Sequence, residues 1–364
     1  MSKKTVALLG NSDLVIYNFR RELVERLVEE GHRVILLIPQ VVHREYFESL
    51  HCKIYETPID RRGTNPIKDY HLFRMYHSIL KEERPDMVYT YTIKCSVYGG
   101  LAARLLRIPQ IANVTGLGSA IKGGGLLKLV SVSLYRMGVK KAVCTFYQNQ
   151  ENMELCLKNK IVGKKYRLIP GSGVNLEQFL RMPYPEEKIT HFYYIARVMK
   201  EKGIDEYLEA AKAVHEKHPD TCFHILGFCE EDYLKTLQEL ENEGIVKYHG
   251  MQEDILSFQQ LNHCTVLPSY HEGMSNVCLE SAACGRPVIT SRIPGCQETV
   301  EDGQTGFLCE AQSAQSLIEA IEKFLLLSNE ERAEMGKKGR LKMEKEFDRQ
   351  HVVDAYMEES RQYL

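Results

Sequence analysis

Two glutamates with seven residues between them, Glu272 and Glu280, lie where a strand, a loop and a helix are expected to follow one another. Gly273 is typical of a loop residue, and the helix is predicted to begin near Ser275 or Asn276. A helix N-terminus presents free N–H groups and partial positive charge, which suits a diphosphate. Both carboxylates can accept hydrogen bonds from sugar hydroxyl groups. The segment predicts a site for a sugar diphosphate; the alternative is an ordinary capped helix with a solvated Glu272.

Two cations form a second candidate element. Arg197 directly follows a predicted strand, and Lys202 comes five positions later, before the next helix. An arginine can bind a phosphate through two parallel hydrogen bonds, while a lysine acts as a point charge. Together they could hold the two phosphates of a diphosphate. The alternative is a solvated run of loop charges, which the presence of Glu272 and Glu280 disfavours.

Short apolar strands alternate with helical segments along the chain, which predicts parallel sheets with right-handed crossovers. In the first half the predicted strands are residues 4–9, 32–38, 87–92, 110–114, 141–147 and 166–169. In the second half they are residues 192–196, 222–226, 246–249, 265–268 and 288–290. Ligands of such sheets bind at the carboxyl ends of the strands, so the candidate residues are expected on that edge.

The α/β series is interrupted once, around residues 181–188, where two prolines lie between charged residues. We therefore predict two doubly wound, Rossmann-like domains with a cleft between them. The first is expected to cover residues 1–182 and the second residues 183–346. A last helix, at about residues 347–364, is expected to pack back on the first domain.

Composition limits the function classes. The chain has 364 residues and a net charge of −2, which argues against a nucleic-acid partner. Its 11 cysteines include no C-x-x-C pair and are interpreted as reduced thiols of a cytoplasmic protein. Neither a signal peptide nor an apolar stretch of about 20 residues is recognised.

Two familiar motifs are missing. The segment after the first strand, Gly10-Asn11-Ser12, does not continue into G-x-G-x-x-G, which disfavours a nicotinamide-dependent dehydrogenase. D-x-D, the usual metal-diphosphate motif, does not occur. Glu230-x-Asp232 is interpreted as the start of a capped helix rather than as a metal site. We therefore expect neither a metal nor another cofactor.

The segment from Pro268 to Ile289 carries E-x7-E within Pro-Ser-x-x-Glu-Gly and Leu-Glu-Ser-Ala-Ala-Cys-Gly-Arg-Pro-Val-Ile. Together with Arg197 and Lys202-Gly203, it resembles the donor half of the retaining glycosyltransferases of family 4, which have the GT-B fold. The resemblance implies a nucleotide-sugar donor, with UDP as the expected nucleotide. It also implies that no metal is required.

That resemblance implies a role for each donor-side residue. Arg197 and Lys202 would hold the diphosphate, Glu280 the ribose hydroxyls and Glu272 the donor sugar. The loop at Met251 would border the base, and backbone groups would assist the phosphates from Gly273, Met274, Ser275 and Asn276. Glu272, Arg197 and Lys202 are the candidates for catalysis. Glu272 is expected to position the sugar rather than to act as a base.

The N-terminal half is similar to a narrower group, transferases that add an N-acetylhexosamine to saccharides on a polyprenyl-diphosphate carrier. The similarity lies in residues 12–20, 38–40, 116–119 and 171–175. It implies acceptor-side residues, which we take as Asn18, Arg20, Lys94, Thr115, Gly116 and Gly118. Many members of the family carry a donor-contacting histidine after the strand at 110–114, whereas this chain reads Asn113-Val114-Thr115. Asn113, Thr115 and Lys94 are the nearest substitutes.

The chemistry expected from the resemblance is sugar transfer with retention at the anomeric carbon, in which a leaving phosphate oxygen takes the acceptor proton. Residues 126–137 are apolar with scattered basic residues. They could lie on the inner face of the plasma membrane or form a helix packed on the first sheet. Two other functions stay open at this point: a nucleotide-sugar epimerase and a non-catalytic sugar-nucleotide-binding protein. The four histidines His43, His51, His71 and His77 show no ligand spacing and are interpreted as surface residues.

Overall fold

The chain divides into two compact units. The computed structural model describes residues 3–60, 63, 65–115 and 125–364. The first unit comprises Met1–Ser172 with Arg349–Leu364, and the second comprises Gly173–Asp348. The boundary expected from the sequence, at residue 182, therefore lies inside the second unit.

The first unit contains a seven-stranded parallel sheet of order β3-β2-β1-β4-β5-β6-β7. Its strands are β1 Thr5–Leu9, β2 Arg33–Ile38, β3 Lys53–Glu56, β4 Met87–Tyr91, β5 Gln110–Val114, β6 Cys144–Tyr147 and β7 Tyr166–Leu168. The inner strands are buried along nearly their whole length, as expected for a sheet covered by helices on both faces. The edge strand β3 is only partly buried and was not predicted.

Helices connect these strands on both faces of the sheet. They are Asp13–Glu29, Arg44–Ser49, Pro66–Glu83, Gly100–Leu106, Gly125–Val139 and Gln150–Lys158, with a π-helical turn at Cys95–Gly99. Asn65 caps the third of them by accepting hydrogen bonds from two backbone N–H groups of its first turn. No helix in the described part of the chain is both long and apolar enough to cross a membrane.

The last helix of the chain, Arg349–Ser360, completes the first unit. A buried salt bridge joins Arg349 Nη1 to Glu22 Oε1 at 2.8 Å. Tyr356 is fully buried against the sheet, and the hydroxyl groups of Ser360 and Tyr89 lie 2.6 Å apart. These polar contacts and the aromatic packing fix the helix on the unit that contains the start of the chain.

The second unit contains a six-stranded parallel sheet of order β10-β9-β8-β11-β12-β13. Its strands are β8 Thr190–Ile195, β9 Thr221–Leu226, β10 Val246–Tyr248, β11 Cys264–Leu267, β12 Val288–Ser291 and β13 Gly306–Cys309. Its α-helices are Ile204–Lys217, Leu234–Asn242, Ile255–Gln259, Asn276–Ala283, Ala314–Leu325 and Asn329–Glu346, with 3₁₀ turns at Lys200–Lys202 and Gln297–Thr299.

Strand order fixes where each sheet can bind a ligand. In the second sheet the chain passes from β8 outward to β9 and β10, and then returns to β11 on the other side of β8. The crevice at such a reversal is the usual ligand site of a doubly wound sheet. The loops that leave β8 and β11 therefore form the candidate site of this unit. The equivalent reversal in the first sheet lies between β1 and β4.

Candidate active site

The loop after β11 leads into a helix that begins where the sequence predicts. Ser275 is the N-cap of the helix Asn276–Ala283, and its hydroxyl accepts a hydrogen bond from the Cys278 N–H at 3.4 Å. The Ser275 N–H donates to the Gly295 carbonyl at 2.7 Å. A side chain at Gly295 would place its Cβ 2.7 Å from the Gly273 carbonyl oxygen, so only glycine fits this approach. The segment around Gly295 therefore supports the loop after β11. The spacing of residues in the sequence did not predict this contact.

Lys202 and Glu272 are joined directly across the two loops. The Lys202 Nζ atom lies 2.5 Å from Glu272 Oε1, and the two side chains are only 18% and 14% exposed. The backbone holds the loops together as well, because the Tyr270 N–H donates to the Glu201 carbonyl at 2.9 Å. Lys202, the second of the two predicted cations, and Glu272, the first glutamate of E-x7-E, therefore share one largely buried position at the switch point.

Gly203 makes this close approach possible. Its φ is +75°, and a Cβ at this position would lie 2.1 Å from the Pro268 carbonyl oxygen. Glycine is the residue that adopts this backbone conformation without steric cost. The turn that carries Lys202 can therefore pass directly over the end of β11.

Arg197 follows β8, as the sequence predicts, but its partner was not foreseen. Its guanidinium group forms a salt bridge with Glu230, and 41% of the arginine side chain is exposed. The interpretation of Glu230-x-Asp232 as a helix start was wrong, since the helix begins at Leu234. Glu231, the next residue, accepts a hydrogen bond from the Lys200 N–H at 2.8 Å. The loop after β9 thus supplies carboxylates that hold the cationic loop.

The remaining donor-side candidates lie on the same segments. Glu280 and Asn276 are partly buried on the helix that Ser275 caps. The Asn276 Oδ1 atom is buried and has no hydrogen-bond partner among the described residues, which makes it available to a ligand. Met274 is 8% exposed and packs in the core of the unit, so only its backbone can serve a phosphate. Met251 is 64% exposed, on the loop after β10.

The acceptor-side candidates of the first unit are more scattered. Asn18 is exposed, whereas Arg20 is 3% exposed and lies over the Tyr91 ring at 4.9 Å. Lys94 forms a salt bridge of 2.6 Å with Asp69. Thr115 is partly buried after β5, and Asn113, considered as a substitute for histidine, donates its amide to the Tyr356 hydroxyl at 2.8 Å. Gly116 and Gly118 lie outside the described residues.

The first unit contains a carboxylate–imidazole pair that was not predicted from the sequence. Asp13, which follows β1 and is 2% exposed, accepts hydrogen bonds from His43, which follows β2. Its Oδ2 atom lies 3.0 Å from His43 Nδ1 and 2.8 Å from the His43 backbone nitrogen. The His43 ring stacks on Tyr17 with centroids 3.7 Å apart. Treating His43 as a plain surface residue was therefore wrong. The sequence did contain one indication of a role for His43, because the residue follows β2, which pairs with β1.

Two parallel Rossmann-like sheets, with cations and carboxylates at the switch point of the second, are the architecture of the GT-B fold. The fold matches that of Anabaena HepE in complex with UDP and glucose, with a TM-score of 0.81 at 17% identity, over 99% of this chain and 100% of that one. The predicted fold class is confirmed.

Sequence comparison reaches the same class. Residues 181–342 match the family model of glycosyl transferases group 1, and residues 5–149 match the glycosyl transferase 4-like model. The chain belongs to this glycosyltransferase family, and the predicted enzyme class is confirmed.

Two curated relatives are informative. The N,N'-diacetylbacillosaminyl-diphospho-undecaprenol alpha-1,3-N-acetylgalactosaminyltransferase of Campylobacter jejuni is 28% identical over 89% of this chain and 90% of its own length. The UDP-Gal:alpha-D-GlcNAc-diphosphoundecaprenol alpha-1,3-galactosyltransferase of Escherichia coli is 30% identical over 71% of each chain. The resemblance drawn from the motifs is confirmed.

Proposed function

We propose that this glycosyltransferase moves a sugar, expected to be an N-acetylhexosamine, from a UDP-sugar to a saccharide carried on a polyprenyl diphosphate. The reaction would serve bacterial glycan, capsule or O-antigen synthesis. Support comes from the two relatives, whose names give diphospho-undecaprenol-linked acceptors and, in one case, a UDP-sugar donor. The observation that carries the proposal in the structure is the Lys202–Glu272 pair at the switch point of the second sheet.

The donor site would work mainly by electrostatics. Negative charge builds up on the leaving diphosphate as the bond to the sugar breaks, and preorganised cations stabilise that charge best. Lys202 and Arg197 occupy the loop after β8, and the N-terminus of the Asn276–Ala283 helix faces the same edge of the sheet. Each cation is held by a carboxylate, Glu272 or Glu230, so a diphosphate would replace these carboxylates as the partner.

We further propose that transfer needs no metal ion and proceeds with retention. Among the described residues, the one group of His, Cys, Asp and Glu side chains that could hold a metal includes neither Glu272 nor Glu280. Cations would then neutralise the diphosphate, and a leaving phosphate oxygen would accept the proton of the acceptor hydroxyl. Glu272 would position the donor sugar once Lys202 has turned to the phosphate.

The acceptor would approach through the first unit at a membrane surface. The helix Gly125–Val139 buries Tyr135 and Val139 but leaves Leu129 65% exposed and Met137 47% exposed. Exposed lysines follow at residues 140 and 141. An apolar face flanked by basic residues suits an anionic lipid surface. We propose that this helix holds the enzyme on the inner face of the plasma membrane, where its carrier substrate lies.

A direct assay tests the proposal. The purified protein is incubated with a panel of UDP-hexoses and UDP-N-acetylhexosamines in EDTA, with and without a polyprenyl-diphosphate-linked monosaccharide. We expect acceptor-dependent UDP release from one donor and an anomeric configuration in the product that matches the donor. Release that needs a divalent cation would overturn metal independence. Conversion of the donor to an epimer without any acceptor would replace transfer by epimerisation, and nucleotide binding with no turnover would indicate a binding protein.

A further inference from the structure

One face of the second sheet carries a cluster of histidines that the donor site does not use. His191 lies on β8, and Cys222 and His224 lie on β9. In the parallel register His191 is opposite Cys222, and Tyr193 is opposite His224. Because alternate residues of a strand point to the same face, all three polar side chains project from one side of the sheet.

The three ligand atoms of the cluster lie close enough together to converge on one metal ion. One ligand atom from each of His191, Cys222 and His224 lies within 4.8 Å of the others. His191 Nδ1 and His224 Nε2 are 2.9 Å apart. Two nitrogens bound to a tetrahedral zinc ion at about 2.0–2.1 Å would be about 3.3 Å apart. The rings would therefore need to separate by only a few tenths of an ångström to admit a metal.

The surrounding residues hold the imidazole rings in place. His224 Nδ1 lies 2.9 Å from His249 Nε2, so the nitrogen of His224 that faces away from His191 has its own partner. The Tyr193 ring stacks on His224 with centroids 4.3 Å apart and planes 4° apart. Metal-binding histidines are typically oriented by such a hydrogen bond on their second ring nitrogen. His224, at 5% exposure, has the environment of an oriented ligand.

A fourth histidine lies on the other side of His191. The backbone N–H of His191 donates to His263 Nδ1 at 3.2 Å. The His263 Nε2 atom is buried and has no hydrogen-bond partner in the described part of the chain. A buried polar atom without a partner is unusual, and His263 lies next to His191 without belonging to the three residues whose ligand atoms converge.

We propose that His191, Cys222 and His224 bind a zinc ion, with water or a neighbouring imidazole as the fourth ligand. Imidazole nitrogen and thiolate sulfur are both ordinary ligands of tetrahedral zinc. The Cys222 thiol must lose its proton on binding, so the affinity rises with pH. The exposed Lys247, opposite His224 on β10, works against a cation, but its flexible side chain can turn to solvent.

This zinc site is separate from the proposed donor site. His191 and Cys222 are each the second residue of their strand, whereas Arg197 follows the opposite end of β8. Zinc would join β8 to β9 and stabilise the second unit, and it would take no part in transfer. The inference does not depend on which sugar or acceptor the enzyme uses.

The test uses the full-length protein without an affinity tag, freed of metal with EDTA and then titrated with Zn²⁺ or Co²⁺. We expect one equivalent of metal to bind, a thiolate-to-cobalt charge-transfer absorption band, and a higher melting temperature with zinc. Cys222→Ser should abolish the band and weaken zinc binding at least about 100-fold, and His224→Gln should remove the zinc-dependent shift in melting temperature. Cys309→Ser, at a buried cysteine on β13 of the same unit, is the matched control.

Circular dichroism of each metal-free variant separates loss of binding from loss of folding. A wild-type protein without the cobalt–thiolate band would overturn the proposal. So would a band of unchanged intensity in folded Cys222→Ser. Transferase activity is not the readout, so failure of the zinc site and failure of the proposed function are distinguishable.

Discussion

The ammonium group of Lys202 forms its salt bridge with Glu272 over 2.5 Å, although the two residues are 70 positions apart in the chain. Both residues were predicted from the sequence to belong to the site, and the fold brings them into contact. We propose that a phosphate of the donor replaces this carboxylate as the partner of Lys202. In the proposed mechanism, donor binding therefore exchanges one anion for another beside Lys202.

Replacing Lys202 should weaken nucleotide binding, whereas replacing Glu272 should not. Lys202→Ala removes a charge-assisted contact worth about 1.5–3 kcal/mol, so UDP should bind at least about tenfold more weakly. Glu272→Gln removes the competing anion and should leave UDP affinity unchanged or tighter, while turnover of the UDP-sugar falls at least about tenfold. Calorimetric titration with UDP and a steady-state UDP-release assay measure the two effects. Weaker UDP binding by Glu272→Gln would contradict the exchange.

Arg197→Ala should lower UDP affinity or turnover at least about tenfold while the fold is retained. The reason is that Arg197 is expected to exchange Glu230 for a phosphate oxygen. Arg181→Ala is the control, since Arg181 is an exposed arginine of the same unit beside Gly285, at the far end of the helix Asn276–Ala283. Calorimetric titration with UDP and the UDP-release assay compare the two variants. Equal UDP affinity and equal turnover in Arg197→Ala and Arg181→Ala would remove Arg197 from the site.

A methyl group at Gly203 should disable the donor loop. Gly203→Ala places a Cβ against the Pro268 carbonyl oxygen and forces the turn that carries Lys202 to move. Gly244→Ala is matched in backbone conformation, with φ of +76° against +75°, but its Cβ meets no atom within 4 Å. Gly244→Ala should lose about 1–2 kcal/mol of folding stability from the unfavourable φ, and Gly203→Ala should lose more because of the added clash. Only Gly203→Ala should also lose UDP affinity, at least about tenfold, as measured by titration beside urea unfolding.

The Asp13–His43 pair is expected to act on the acceptor rather than on the donor. Asp13→Asn weakens the hold on the His43 ring, so kcat/KM for the polyprenyl-linked acceptor should fall about tenfold or more while UDP affinity is unchanged. His43→Ala should behave in the same way. His71→Ala is the control, at an exposed histidine of the same unit. A loss of UDP binding in Asp13→Asn would contradict the assignment to the acceptor, and full acceptor turnover in both variants of the pair would show that the contact is only structural.

Acid should destabilise the second unit through its histidines. Burial, and then the nearby His191, His249 and Lys247, lower the pKa of His224 to about 3 from 6.5. The unfolded chain therefore takes up a proton below pH 6.5 that the folded chain refuses. Stability present above that pH is lost as the pH falls towards 3, by about 2 kcal/mol at pH 5. Urea unfolding in EDTA at pH 7 and pH 5, followed by circular dichroism, measures the loss.

His224→Gln should reduce this pH dependence, since glutamine has no proton to gain in that range. His71→Ala is again the control, at an exposed histidine of the other unit. A pH 5 loss that is identical in wild type and His224→Gln would assign the acid sensitivity to other groups.

Much of the fold could be predicted, because each buried parallel strand is a short apolar run. Residues 192–196 predicted β8, which spans Thr190–Ile195, and the helix start at Asn276 was located by its cap. Strand β3 was missed because its sequence, Lys-Ile-Tyr-Glu, is half polar and lies at an edge. Strand β13, Gly306–Cys309, and the helix Asn329–Glu346 were missed as well, whereas the last helix, expected at about residues 347–364, spans Arg349–Ser360.

The sequence could predict which residues lie at the candidate site, but not which of them contact one another. A residue that follows a parallel strand must lie at the carboxyl edge of the sheet, which located Arg197, Lys202 and Glu272. Which carboxylate meets which cation depends on loop paths, and spacing does not encode them. Glu230 and Arg197 are 33 positions apart, and Asp13 and His43 are 30 apart. Their contacts became visible only with the fold.

The position of the helix Arg349–Ser360 also bears on synthesis by the ribosome. The first unit begins at the start of the chain but needs this helix for the Arg349–Glu22 salt bridge and for the burial of Tyr356. Domains usually fold in the order in which they are made, at about 5–20 residues per second. A nascent chain that ends at Asp348 contains every strand of both sheets, yet its first unit lacks part of its core. The half that is synthesised first is therefore the half that is completed last.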